Sequence, residues 1–144
     1  MSGQLEQMRL ILESIAQKHG YRVTYDNLHA LLGHEKHDAA VFHYPINLII
    51  VHNQLEDKFQ VKALGHEIGH VLFATSALSQ LETFSDLDQQ LLAELISRIL
   101  WERLGPSDGE VDGYSESLIA GYLNMLNRAE VPQSLYALAL AFLN

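Results

Sequence analysis

Apolar residues recur along this chain with two periods, and the points where the period changes divide it into elements. Leu5, Met8, Leu12 and Ile15 fall at helical spacing, and Lys18, His19 and Gly20 then supply the cations and the left-handed stop expected at a helix end. Three short stretches rich in Val, Ile, Phe and Tyr follow, Tyr21–Tyr25, Ala39–Tyr44 and Asn47–His52, with Pro45 in a tight turn between the last two. They predict a small three-stranded, largely antiparallel sheet. Asp57 is placed to cap a helix running from Lys58 to Ser76. Beyond a polar loop, Ser85 and Asp88 form a variant capping box for a helix that reaches Leu104 and stops at Gly105-Pro106. After a surface loop at Pro106–Gly109, two more helices are expected, roughly Ser115–Asn127 and Pro132–Leu143.

The order is helix, sheet, then four helices, which predicts an α+β fold with strands and helices segregated along the chain. A length of 144 residues suits one domain, 1–144, with a core large enough to need no disulfide. Hydrophobic residues make up 48% and charged residues 19%, proportions of a folded rather than a disordered chain. The formal net charge is -9, and the nine Lys and Arg residues are scattered, which argues against direct nucleic-acid binding. With no cysteine, any transition metal must be held by nitrogen and oxygen. The opening MSGQLEQMRLILESIAQ lacks the basic start of a secretory signal, and no run is long enough to span a membrane, so a soluble cytoplasmic protein is expected.

Chemistry enters at Ala63–Phe73, ALGHEIGHVLF. His66 and His70 stand at i and i+4, on one face of a helix, where their ring nitrogens can converge on a point just off its surface. His-Glu-x-x-His is the arrangement a catalytic zinc site uses, with Glu67 placed as general base toward the water. The wheel puts Val61, Leu64, Ile68 and Leu72 on one stripe and the histidines opposite, among Phe59, Ala63 and Phe73.

A third ligand is required. Ser76 and Phe73 occupy the positions where a metzincin would have its third histidine and its glycine, so that pattern is excluded. A carboxylate from the next helix remains, and the candidates are Glu82, Asp86, Asp88, Glu94 and Glu102. Glu94 ranks first because Leu87, Leu91 and Trp101 surround it on the wheel, a setting in which an acid needs a compensating cation. Arg98, at i+4, is the alternative compensator, and Glu102 is the second choice of ligand.

Leu64-Gly65-His66-Glu67-Ile68-Gly69-His70 resembles the Leu-Ala-His-Glu-Leu-Gly-His signature of the ImmA/IrrE family of metallopeptidase-like proteins. Asn47–Val51 is similar to that family's last strand before the zinc helix, and Leu91–Gly105 resembles the helix that supplies the glutamate ligand in ArdC-type antirestriction domains. The resemblance covers approximately Gly20 to Gly105 and departs from the family in having Gly65 in place of an alanine. It implies a zincin-like fold, His66, His70 and Glu94 on zinc, and a peptidase of bacteria or mobile elements acting on a repressor or other regulatory protein. No helix-turn-helix unit accompanies it.

The expected function is therefore zinc-dependent hydrolysis of a peptide bond in a protein substrate. Two other readings compete: an inactive zincin-fold module that inhibits a partner by contact, and a nucleic-acid-binding antirestriction protein, which the acidic balance opposes. For the oxyanion, Tyr114, Tyr122, His43 and His52 are candidates. The strand Asn47–His52 is expected at a sheet edge where an extended substrate could pair with it. The terminal ALALAFLN fits either a core helix or an apolar docking surface. Gly33–His37 carries two further histidines without a helix to order them, and His19 and His29 read as surface or loop residues.

Overall fold

A computed structural model describes residues 2–32, 40–43, 46–76 and 84–144. Helix α1 (Gly3–Lys18) opens at Ser2, whose hydroxyl accepts the Leu5 backbone N–H at 3.2 Å, and it buries Leu5, Met8, Leu12 and Ala16. The chain then turns at Gly20, whose φ of +84° is open to glycine at little cost.

Strands β1 (Arg22–Asp26), β2 (Ala40–His43) and β3 (Leu48–His52) form one sheet in the order β1-β3-β2. The β2–β3 pair is the expected antiparallel hairpin, with Ala40 opposite Val51 and His43 opposite Leu48. The other pair corrects the expectation of a largely antiparallel sheet: β1 runs parallel to β3, from Arg22 opposite Leu48 to Asp26 opposite His52. A parallel neighbour needs a long crossover, which the chain between Asp26 and Leu48 provides.

The same topology overturns the edge-strand expectation. β3 is the middle strand, hydrogen-bonded on both sides, so it has no free edge to offer an extended peptide. Its sequence carried that information. Leu-Ile-Ile-Val does not alternate, and Ile49, Ile50 and Val51 are all buried, as a strand covered on both faces requires.

A short helix, α2 (Leu28–Leu32), was not expected; its Leu28 N–H donates to Nδ1 of the buried His52 at 3.1 Å. Gly33–His37 and the Tyr44-Pro45 turn lie outside the described residues.

Helices α3 (Asp57–Thr75) and α4 (Asp86–Leu104) carry the motif and its partner. Asp57 is the first residue of α3 rather than its cap; Glu56 holds the cap position and its side chain makes no capping bond. The capping box of α4 is present, with Ser85 Oγ accepting the Asp88 N–H at 3.1 Å and the Asp88 carboxylate accepting the Ser85 N–H at 3.4 Å. Helix α5 (Gly109–Met125) starts earlier than Ser115 because the Asp108 carboxylate accepts the Glu110 and Val111 N–H groups. Helix α6 (Gln133–Phe142) follows Pro132. It buries Leu135 and Ala139 and sets Phe142 edge-on to Phe73, so the terminal apolar run packs on the core. No helix among the described residues is long and apolar enough to cross a membrane.

Candidate metal centre

Helices α3 and α4 run antiparallel, and their backbones nearly touch where Gly69 meets Ala93. A Cβ on Gly69 would lie 2.6 Å from Ala93 Cα, so no larger residue fits without parting the helices. One turn earlier, a Cβ on Gly65 would come within 2.9 Å of Ser97 Oγ. That hydroxyl also accepts from Lys62 Nζ at 2.7 Å, which gives the glycine at this position a physical reason. A histidine follows each glycine, so the close approach presses His66 and His70 against the side chains of α4.

Both imidazoles aim Nε2 at one atom, Oε1 of Gln90, at 2.8 Å from His66 and 3.0 Å from His70. Their rings meet edge to face with centroids 5.0 Å apart. The convergence inferred from the i, i+4 spacing is thus realised. Glu94, however, is not at that point. Its Oε1 accepts from the other ring nitrogen, His66 Nδ1, at 3.0 Å. Its Oε2 accepts from Lys62 Nζ and from Ser115 Oγ, each at 2.5 Å.

Glu94 and Lys62 are 1% and 2% exposed, so the acid is compensated by a buried ammonium rather than by Arg98. Burial by itself would push the Glu94 carboxyl up. The His66 hydrogen bond and the Lys62 charge more than reverse this, holding it below the usual carboxylate range. Burial would likewise depress His66, but its bond to Glu94 and the charge of Glu67 carry it above the ordinary imidazole value. For His70 the balance goes the other way: burial, with the neighbouring His66, lowers it to about 4.

These groups line a cavity of about 250 Å³ bounded by Lys62, His66, Glu67, Gln90 and Glu94, with Tyr114, Leu118 and Tyr122 of α5 and Ala40 of β2 on its other walls. Glu67 is 7% exposed. Tyr114 packs edge-on against Phe59 at 5.6 Å and remains partly open to solvent. Burial raises both phenols, Tyr122 to about 12, so each remains a hydrogen-bond donor at neutral pH.

The other sequence candidates are elsewhere. Asp86 is exposed in the first turn of α4, Asp88 serves the cap, and Glu102 is 58% exposed beside Arg98 at 3.5 Å. Glu82 and the side chain of His43 lie outside what the structure describes. His52 anchors α2 instead of facing the cavity, and His19 Nδ1 lies 3.3 Å from Thr75 Oγ1. The helical pattern also holds signals for two residues outside the predicted ligand set: Lys62 precedes His66 by four, and Gln90 precedes Glu94 by four. The second is an amide rather than an acid, so a search for carboxylate ligands does not reach it. Ser97 and Ser115 carried no signal beyond their interruption of apolar faces.

Among the described residues no three His, Asp or Glu side chains gather as a metal-binding group. The converging set is two imidazole nitrogens and one amide oxygen. Such donors suit zinc in type, and a carboxylate behind one imidazole is the usual outer support of a metal-bound histidine. A carbonyl oxygen only accepts hydrogen bonds, so without a cation both Nε2 atoms must carry hydrogen to satisfy it; a cation near the same point would draw on their lone pairs instead. The residues therefore fit a divalent ion in convergence and donor type, with a neutral third group. No family model, curated protein or solved structure matches the chain.

Proposed function

We propose that the protein is a zinc-dependent peptidase of the kind its motif resembles, with His66 and His70 as metal ligands and Glu67 as general base. The observation that carries this reading is the convergence of two Nε2 atoms on one point at 2.8 and 3.0 Å, at the wall of a cavity lined by His66, Glu67 and Gln90. Zinc bound there would polarise a scissile carbonyl and make a water acidic enough to be deprotonated near neutral pH.

The chain's own residues do the rest. Glu67, which follows His66 on the helix, accepts the proton of the attacking water and returns it to the leaving amine. Glu94 holds the Nδ1 hydrogen of His66 and so leaves Nε2 facing the cavity. The hydroxyls of Tyr114 or Tyr122, both protonated at neutral pH, donate to the oxyanion of the tetrahedral intermediate. The substrate class is a protein or peptide that reaches the cavity without pairing to β3, which is the middle strand.

The neutral amide at the convergence point favours one second reading, a module of the same fold that inhibits a partner by contact without cleaving it. Metal analysis of purified protein and a peptidase assay on Glu67→Gln separate the two. The peptidase reading expects about one zinc per chain, loss of that zinc in His66→Ala, and loss of cleavage with zinc retained in Glu67→Gln. Zinc unaffected by His66→Ala would refute the metal site, and activity unaffected by Glu67→Gln would refute the catalytic role.

A further inference from the structure

We propose that the third protein donor to the metal is the carboxamide oxygen of Gln90, and that Glu94 is a positioning residue acting behind His66. This rests on the metal-site reading above and replaces the carboxylate expected in the ligand set with a neutral group. The geometry argues it in three steps. First, Gln90 Oε1 is the atom on which both Nε2 vectors meet, so a cation drawn to those nitrogens is drawn to that oxygen too.

Second, the two nitrogens of an imidazole face away from each other. A carboxylate bonded to Nδ1 of His66 therefore stands on the wrong side of the ring to share a cation with its Nε2. Third, both oxygens of Glu94 are committed. Swinging the carboxylate to the convergence point would strip a buried ammonium of its counter-ion and a buried hydroxyl of its acceptor. Gln90 already reaches the two nitrogens, from one turn nearer the start of α4, and leaves the Glu94 bonds intact. The donor set is then two imidazoles and an amide, all neutral, and it binds zinc more weakly than a set containing a carboxylate.

The test is competition of apoprotein against a chromophoric chelator for Zn²⁺, together with visible absorption spectra of the Co²⁺-loaded protein, on wild type, Gln90→Ala, Gln90→Glu, Glu94→Gln and His66→Ala. Gln90→Ala should weaken Zn²⁺ binding by more than the ~10–100-fold typical of losing an outer partner, and should shift the Co²⁺ bands. Gln90→Glu should tighten binding by about tenfold or more, since an anionic donor replaces a neutral one. Glu94→Gln should weaken binding within the ~10–100-fold range and leave the band positions unchanged. The reverse pattern, bands moved by Glu94→Gln and untouched by both Gln90 variants, overturns the proposal while leaving the metal site intact. Zn²⁺ binding that is absent from wild type, or unaffected by His66→Ala, overturns the metal-site reading itself.

Discussion

Glu94 and Glu102 stand on the same helix, each four residues from Arg98, and in a helical wheel either could be its partner. Arg98 takes Glu102 at 3.5 Å and Glu116 at 3.7 Å, in a setting where its own side chain is 40% exposed. Glu94 instead reaches into the space between α3 and α5, where it accepts three hydrogen bonds from Lys62, Ser115 and His66. The difference is one of solvent. At the surface, water satisfies a carboxylate and a loose ion pair adds little; in the interior every lone pair left without a donor is costly, so the sequence must supply a complete set. Asp88 is an intermediate case, 14% exposed, bonded to Arg128 at 2.7 Å and to the start of its own helix.

Substitutions at the buried, half-buried and exposed positions test that ordering. Lys62→Met leaves the Glu94 charge buried without its cation and should cost about 3–5 kcal/mol in urea unfolding. The double variant Lys62→Met/Glu94→Leu should recover much of that loss, because the penalty belongs to the unpaired ion and not to the pair. A single variant as stable as wild type would show that Glu94 does not depend on Lys62, and the contrast with Glu102 would disappear.

Asp88→Asn should cost about 1 kcal/mol at pH 7, the scale of a lost helix cap. Partial burial alone would raise the Asp88 carboxyl, but bonds from Ser85 and Arg128 hold it below the usual range. A depressed folded-state value means that the wild-type advantage is complete above the unfolded value of about 4 and is lost as the pH falls through the folded one. The unfolding midpoints of the two proteins should therefore differ at neutral pH and draw together in acid; a gap that persists undiminished in acid would show that charge is not its source. Arg98→Ala and Glu102→Ala should each change stability by less than about 1 kcal/mol, as exposed pairs do. A loss comparable to that of Lys62→Met would erase the distinction between the two faces of α4.

Local pattern was a good guide wherever the responsible interaction is local. The stripe of α1, the Ser85–Asp88 capping box and the stop at Gly105 all depend on residues within a turn or two of one another, and all are present as read. The Asp57 cap is off by one position, and α5 starts earlier than expected because Asp108, in the expected surface loop, caps the helix. The parallel β1–β3 pair failed for a different reason: strand order is a long-range property, and only the unbroken apolar run of β3 hinted at it.

At the site the division is sharper. The chain by itself determined that any metal here must do without thiolates, and that His66 and His70 share a helical face with a glutamate beside them. It also marked Glu94 as an acid in apolar surroundings that needs a cation. Which side chain of α4 meets the two imidazoles was decided only by how the two helices seat, Gly69 on Ala93 and Gly65 on Ser97. Gln90 and Glu94 lie four residues apart, about 6 Å along the axis, so a slip of about one turn would exchange their places. No periodicity within one helix encodes that offset, because it is fixed by contacts between residues far apart in the chain.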